Sequence, residues 1–137
     1  NCGKYGCLGQ YASANGIVRM AKGMLAGCDT PSALRAMDSF TSKDICDLAR
    51  NGEEMALTIV DRFGEYLGRA LSFVSCTVDP DVFIIGGGMS RAGNIIVEPI
   101  MKYYRKYAFH VSTGTTASIA ILGNDAGIYG CAKLMQL

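Results

Sequence analysis

The chain has 137 residues, of which 50% are hydrophobic and 18% charged, and its formal net charge is +1 at pH 7. This composition is typical of one globular domain and places the chain on the folded side of the boundary with disordered proteins. The near-neutral charge argues against a nucleic-acid partner, because nucleic-acid-binding domains usually concentrate basic residues on one face. No apolar run approaches the roughly 18 residues of a membrane span, and the first residues contain no apolar signal core. We therefore expect a cytoplasmic protein without a membrane partner.

The six cysteines fall into two groups. Four are isolated in apolar or helical surroundings, where cysteine behaves as a small hydrophobic residue, and we expect no disulfide framework among them: Cys28, Cys46, Cys76 and Cys131. The other two, Cys2 and Cys7, lie in the glycine-rich segment 1–12, which is flexible enough to direct two thiolates at one metal ion. Because zinc needs about four ligands, this pair supplies half of a site. Two surface cysteines in a loop are an equal alternative.

Residues 13–78 form a helical segment with three predicted helices. Apolar residues recur three and four positions apart over residues 13–25, which predicts an amphipathic helix. A capping-box pattern, Thr41 followed three residues later by Asp44, predicts the start of a short second helix. The third and longest predicted helix covers residues 53–76, and two of its glycines, four residues apart, indicate that another element packs closely against it.

The remaining segments alternate strands with helices. In residues 82–107, the apolar run 82–85 predicts a strand covered on both faces, and Pro99 predicts an interruption in the helix that follows. In residues 117–135, the largely apolar run 117–122 predicts a second buried strand, and residues 125–135 predict a closing helix capped by Asn124. Two buried strands joined by a helix imply a parallel crossover. The predicted fold class is therefore α/β, helix-rich, with at least two buried parallel strands, and further strands are expected upstream because two do not complete a sheet.

Three consecutive glycines, Gly86, Gly87 and Gly88, lie between the first strand and the next helix. Glycines let a ligand approach the backbone, and a helix N-terminus attracts negative charge, which suits a phosphate or a nucleotide. The dinucleotide-binding pattern nevertheless lacks its last glycine here, and the P-loop spacing of Gly88 and Gly93 is not followed by the required lysine. A tight turn without a ligand is an equal alternative.

Two other candidates have simpler explanations. His110, the single histidine, has no serine, cysteine or carboxylate at a catalytic spacing, and we interpret it as a structural or surface residue. Tyr103, Tyr104 and Tyr107 alternate with basic residues, as in a platform for stacking nucleic-acid bases. A half-exposed amphipathic helix explains these tyrosines better, because the charge of the whole chain is nearly neutral.

Three motifs occur in a fixed order along the chain: residues 2–8 (CGKYGCL), residues 84–90 (IIGGGMS) and residues 122–127 (LGNDAG). Together they resemble the ROK family of bacterial sugar kinases and sugar-responsive repressors, and most closely its ATP-dependent glucokinases. The resemblance covers essentially residues 1–137 and corresponds to the C-terminal portion of such a protein. It implies part of the actin-like, ribonuclease-H-like ATPase fold, in which two lobes close over sugar and ATP.

The resemblance also implies roles for individual residues. Cys2 and Cys7 would be two of the three cysteines that, with a histidine, hold a structural zinc near the sugar pocket; the other ligands and the catalytic aspartate are expected upstream. The segment that borders the adenosine half of Mg-ATP matches Gly86, Gly87 and Gly88. Gly9 stands where the family has a glutamate that binds sugar hydroxyls. Its loss would remove a charge-assisted hydrogen bond worth about 1.5–3 kcal/mol.

The implied reaction is transfer of the γ-phosphoryl group of Mg-ATP to the 6-hydroxyl of glucose or a related hexose, a step of glycolysis and carbohydrate metabolism. In such a reaction an aspartate acts as base, and catalysis otherwise consists of positioning and charge neutralisation. Without that aspartate, the isolated chain is expected to be inactive. The family also suggests a homodimer. The alternative parent is the sugar-sensing domain of a ROK transcriptional repressor, and a small zinc module that binds nucleic acid is disfavoured by the neutral charge.

Overall fold

The computed structural model describes residues 3–135, apart from the side chain of Asn124. Five helices and two strands follow in the predicted order within this range: α1 (Ala14–Ala26), α2 (Ser42–Arg50), α3 (Glu54–Val78), β1 (Val82–Ile85), α4 (Asn94–Tyr107), β2 (Thr116–Ile119) and α5 (Ala126–Leu134). Short 3-10 turns occupy several of the connections. None of the helices in residues 3–135 has both the length and the apolar character needed to cross a membrane.

The first three helices each begin at a side-chain cap. The Ser13 hydroxyl accepts a hydrogen bond from the backbone amide of Gly16 at the start of α1. Thr41 and Asp44 form the predicted capping box, in which each side chain accepts from the other residue's backbone amide. Glu53 caps α3, because its carboxylate accepts a hydrogen bond from the backbone amide of Ala56 in the first turn of the helix. Each cap satisfies a backbone donor that the helix itself leaves unpaired.

The hydrophobic core lies where α1, α2 and α4 pack around the long helix α3. Its fully buried side chains come from all four helices, each of which carries its apolar residues on one face, and from the 3-10 turn Ala33–Ala36 between α1 and α2. The largest are Ile17, Leu34, Ile45, Ile59, Phe63, Ile96, Ile100 and Tyr104. This core supports β1 and the residues that follow it, since Ile85 and Met89 pack against its edge.

α3 and α4 approach each other through the two glycines of α3. A Cβ atom added to Gly64 would lie 2.6 Å from the Cβ of Pro99, and one added to Gly68 would lie 2.4 Å from the Ile100 carbonyl oxygen. The close packing predicted from the glycine spacing is therefore confirmed. Pro99 does not interrupt α4, contrary to the prediction from sequence. The helix continues through the proline at the point where Pro99 packs against Gly64 of α3, although a proline there removes one backbone donor and crowds the carbonyl of the preceding turn.

β1 and β2 pair in parallel, with Val82 opposite Thr116 and Ile85 opposite Ile119. The parallel crossover is as predicted, but within residues 3–135 each strand is covered on one face and not on both. On the covered face, Phe83 meets the buried ring of Tyr104 edge-on at 5.3 Å between centroids. On the other face, Val82 and Ile84 are 42% and 62% exposed. The apolar run therefore predicted the position of β1 correctly. The prediction that both faces of the strand are covered is not met within residues 3–135, where one face is exposed.

The C-terminal elements differ in detail from the prediction. β2 ends at Ile119, and Ile121, which was expected in the strand, is fully exposed. The predicted cap of the last helix, the Asn124 side chain, lies outside the described part of the structure. Asp125 occupies the cap position of α5, and its side chain makes no capping hydrogen bond. α5 buries none of its residues against the rest of residues 3–135.

Candidate functional site

The two parallel strands end side by side, and each is followed by a glycine-containing turn. The backbone amide of Ala120, just after β2, donates to the carbonyl oxygen of Ile85 at 2.9 Å. Gly86 lies against Ala120, since a Cβ atom added to Gly86 would be 3.5 Å from the Cβ of Ala120. The second turn begins at Gly123. Ligands of α/β proteins bind at the carboxyl ends of parallel strands, and this edge is therefore the candidate site.

The glycine turn, residues 86–93, leads from β1 into α4. Gly87 adopts φ 78° and ψ −169°, and Gly93 adopts φ 68° and ψ −144°, a backbone region that is essentially restricted to glycine. Between them, the buried Ser90 donates from its hydroxyl and its amide to the Gly87 carbonyl oxygen, at 2.7 and 3.1 Å. Any residue other than glycine at Gly87 or Gly93 would therefore strain the backbone of the turn.

The glycine turn also provides the start of α4. Gly93 occupies the cap position of this 14-residue helix, and a glycine supplies no side chain to occupy its first amides. The N-terminus of a helix carries partial positive charge and directs backbone N–H groups outward, which favours a phosphate or another anion. The three predicted glycines, Gly86, Gly87 and Gly88, begin the turn that ends at this N-terminus.

A cavity of about 260 Å³ joins the glycine turn to the beginning of α1. Its walls come from Ala12, Ser13 and Ala14 on one side and from Ile85, Gly86, Gly88 and Met89 on the other. The residues that follow the cysteine-rich segment therefore border the same cavity as the glycine turn, a contact that was not predicted. No local pattern signals this contact, because the two segments are more than seventy positions apart and α3 brings them together.

The described residues of the cysteine-rich segment contain at most a part of a metal site. Gly3 and Gly6 have φ values of 72° and 73° and turn the backbone around the half-buried Cys7, whereas Cys2 lies outside residues 3–135. No group of three or more histidine, cysteine or acidic side chains in residues 3–135 is arranged to hold a metal ion. Since zinc takes about four ligands, a site at Cys7 needs donors from beyond these residues.

Gly9 lies in the 3-10 turn Leu8–Gln10, directly after Cys7. Its carbonyl oxygen accepts a hydrogen bond from the Ser13 hydroxyl at 2.7 Å, which ties this turn to the cap of α1. A Cβ atom added to Gly9 would meet nothing within 4 Å. The position therefore has room for a longer side chain such as the glutamate that the family resemblance places there.

The histidine and the tyrosines of α4 have the structural roles expected of them. His110 is exposed and lies against Phe109, with 4.3 Å between ring centroids. Tyr104 is completely buried and its hydroxyl donates to the Ser112 carbonyl oxygen at 2.6 Å, so α4 is an amphipathic helix packed on the core. The four isolated cysteines form no disulfides in the described structure, but the expectation that they act as small hydrophobic residues is met at Cys46, which is buried, and is wrong for Cys76 and Cys131, which are exposed. Burial raises the pKa of the Cys46 thiol, as expected for a core cysteine.

Comparison with known proteins identifies the family to which this site belongs. The model of the ROK family matches residues 1–137, the whole chain. The chain belongs to the ROK family. The glucokinase of Halalkalibacterium halodurans is 39% identical over 140 residues, which cover 99% of this chain and 42% of that protein. This ROK chain thus spans less than half the length of the curated relative.

Solved ROK structures share the fold. A ROK family glucokinase from Streptomyces griseus, in complex with glucose and AMPPNP, matches with a TM-score of 0.85 and 31% identity over 97% of this chain and 45% of that chain. A ROK family transcriptional regulator, a homologue of the E. coli MLC protein, matches with a TM-score of 0.73 and 28% identity over 87% of this chain and 30% of that chain. The predicted fold class, a helix-rich part of the actin-like ATPase fold with two parallel strands, is confirmed.

One contact of the ROK glycine turn was missed by sequence analysis. Arg50, at the end of α2, donates from Nη2 to the Ala92 carbonyl oxygen at 2.5 Å. The contact joins residues more than forty positions apart. The only local signal is the acidic residue three positions earlier, Asp47, which pairs with Arg50, and an exposed pair of this spacing is common on any helix.

Proposed function

We propose that this chain is the C-terminal part of an ATP-dependent glucokinase, which transfers the γ-phosphoryl group of ATP to the 6-hydroxyl of glucose. The observation that carries the proposal is the 39% identity to a glucokinase across 99% of the chain. The match to a glucokinase whose structure contains glucose and AMPPNP supports the same assignment. The carboxyl edge of the two parallel strands, where both turns lie, is a suitable place for a nucleotide.

In this proposal the glycine turn borders the adenosine half of ATP. Gly86, Gly87 and Gly88 allow the nucleotide to approach the backbone, and the N-terminus of α4 contributes favourable electrostatics for its negative charge. Magnesium bound to the ATP phosphates would neutralise charge that develops during transfer. The catalytic aspartate, which takes the proton from the sugar hydroxyl, would be supplied by the part of the protein upstream of residue 1.

The proposal assigns the cysteine-rich segment a structural role beside the sugar. Cys2 and Cys7 would provide two of four zinc ligands in the intact protein, and the remaining cysteine and histidine would come from upstream. With two thiolates alone, the 137-residue chain should hold zinc weakly. The cytoplasmic location follows from the use of ATP and glucose as substrates, and the homodimer rests on the resemblance to the family.

A coupled assay on the intact protein, expressed from its complete coding sequence, tests the proposed activity. We expect glucose-dependent formation of ADP with a turnover of about 1–100 per second, the ordinary range for kinases. The 137-residue chain alone should give background, because an enzyme that acts by positioning needs its base and both lobes. An intact protein that consumes no ATP with glucose or related hexoses, and instead binds DNA in a sugar-dependent manner, would support the regulator in place of the kinase.

A further inference from the structure

The side chain of Arg50 bridges α2 and the glycine turn. Its Nη2 atom donates to the carbonyl oxygen of Ala92 at 2.5 Å and lies 3.4 Å from the carbonyl oxygen of Arg91. These two residues end the 3-10 part of the turn, immediately before Gly93. A planar guanidinium can hold two neighbouring acceptors with one rigid group, which a lysine ammonium on a flexible stem does less well.

Arg50 is itself oriented by Asp47, one turn earlier on α2. The Nη1 atom of Arg50 donates to Oδ1 of Asp47, while Oδ2 of the same carboxylate accepts from Lys43 Nζ at 2.7 Å. The hydrogen bond from Lys43, together with the charge of Arg50, holds the pKa of Asp47 below its ordinary value. The carboxylate therefore remains ionised at neutral pH and fixes one edge of the guanidinium while the other edge faces the turn.

The glycine turn needs such an anchor. Gly87 and Gly93 at its two ends carry no side chains to pack, and glycine loses more conformational freedom on ordering than any other residue. A cavity of about 260 Å³ lies between part of the turn and α2, with Lys43, Cys46 and Met89 among its lining residues. Met89 and Ala92 pack partly against the core, and Arg50 adds hydrogen bonds that tie the end of the turn to α2 across the open part of this side.

We propose that Arg50, held by Asp47, is a positioning residue that keeps the glycine turn in the shape that receives ATP. This inference rests on the proposed function, because it assumes that the turn borders the nucleotide. Arg50 acts through the backbone of the turn and touches no reacting atom. When the receptive shape is populated for only a fraction of the time, the apparent dissociation constant rises by the inverse of that fraction. Loss of the anchor should therefore weaken nucleotide binding selectively.

The test is Arg50→Gln in the intact protein, which removes the charge and the two-pronged contact but keeps a polar side chain. We expect the dissociation constant for AMPPNP and the KM for ATP to rise about tenfold, which corresponds to a receptive population of about one tenth. The KM for glucose should change by less than about twofold. Asp47→Asn should produce a smaller change in the same direction, and Arg50→Lys should lie between wild type and Arg50→Gln.

Arg62→Gln is the matched control. Arg62 also forms an exposed pair with an acidic residue three positions away, Glu65 at 2.8 Å, but it lies on α3. This variant should bind AMPPNP as the wild type does. Amide hydrogen exchange in residues 88–93 provides a second readout, and it should accelerate in Arg50→Gln without nucleotide present.

The outcomes separate the positioning role from the proposed activity. An Arg50→Gln protein that matches Arg62→Gln in AMPPNP affinity, or that loses ATP and glucose affinity equally, would overturn the positioning role even if the wild type is a glucokinase. A wild type that binds AMPPNP in an Arg50-dependent way but phosphorylates no hexose would refute the activity and leave the positioning role supported.

Discussion

Gly68 of α3 and Ile100 of α4 are in direct backbone contact: a Cβ atom built on Gly68 would lie 2.4 Å from the Ile100 carbonyl oxygen. It would also lie 2.8 Å from the amide nitrogen of Tyr104. Such distances are too short for any pair of non-bonded atoms of this kind, so only glycine permits this approach. Because α4 begins where the glycine turn ends, the contact between α3 and α4 also positions the candidate nucleotide site.

Replacement of Gly68 by alanine should therefore destabilise the protein, although alanine is ordinarily better than glycine in a helix by about 1 kcal/mol. The added methyl group must push the two helices apart, and overpacking typically costs about 1–3 kcal/mol. Urea denaturation should show a lower free energy of unfolding. Gly23→Ala in α1 is the matched control, because a Cβ atom there meets nothing within 4 Å. If both variants were equally stable, the close approach of α3 and α4 would be refuted.

Periodicity and capping patterns were sufficient to predict the helices. The Thr41 and Asp44 pattern forms an actual capping box, and the spacing of Gly64 and Gly68 correctly indicated a closely packed neighbour. Pro99 was misjudged because the prediction considered the proline alone, whereas in the structure α4 continues through it where it packs against Gly64 of α3. Such tertiary contacts are not encoded in the residues on either side of the proline.

The candidate site was only partly predictable. The glycines of the turn follow an apolar strand, and this local order is visible in the sequence. The contact of Arg50 with Ala92 and the shared cavity between Ser13 and Gly86 depend on how α2 and α1 pack against the core. Long-range packing of this kind brings together segments whose own sequences carry no sign of one another.

Tyr104 links α4 to the loop before β2, and its hydroxyl should contribute to stability. It is completely buried and donates to the Ser112 carbonyl oxygen at 2.6 Å. Tyr104→Phe removes this hydrogen bond while it keeps the ring, and we expect a loss of about 0.5–1.5 kcal/mol in the free energy of unfolding. The control, Tyr5→Phe, changes a side chain that is 100% exposed and should have no effect. A Tyr104→Phe protein as stable as the wild type would show that water replaces the lost partner.

Asp61 should make the α3–α4 contact sensitive to acid. Burial opposes its ionisation, but hydrogen bonds from Lys102 at 2.7 Å and Tyr103 at 2.5 Å outweigh this effect and lower its pKa. Because its pKa is lower in the folded protein than in the unfolded chain, Asp61 adds stability above about pH 4 and loses this contribution as the pH falls through the folded pKa.

The variant Asp61→Asn tests this linkage. At pH 7 it should be less stable by about 0.5–1 kcal/mol, a small value because the pair is partly exposed to solvent. The difference from wild type should shrink as the pH is lowered below about 4, the ordinary aspartate pKa of the unfolded chain, and through the lower pKa of Asp61 in the folded protein. Asp38→Asn, at an exposed position, serves as the control. A difference that is constant with pH would mean that Asp61 acts through its shape and not through its charge.

Replacement of Gly9 by the family's glutamate should strengthen glucose binding. The structure leaves space around this position within 4 Å, so Gly9→Glu is expected to fold normally in the intact protein. A charge-assisted hydrogen bond to a sugar hydroxyl should tighten glucose binding about tenfold or more, since each 1.4 kcal/mol is a factor of ten. ATP affinity should change little, and Gly9→Ala, which adds no acceptor, should behave as wild type. Unchanged or weaker glucose binding would reject the alignment of Gly9 with the sugar-binding glutamate.

The most direct test of the nucleotide site is amide hydrogen exchange on the intact protein with and without AMPPNP, in the presence of glucose. The nucleotide should slow exchange in residues 86–93, because the glycine turn is the proposed border of the adenosine half of ATP. Residues 57–62 should be unaffected; three of them, Leu57, Val60 and Asp61, line a larger groove of about 400 Å³ between α3 and α4. Protection of residues 57–62 with unchanged exchange in residues 86–93 would contradict the assignment and place the nucleotide in that groove.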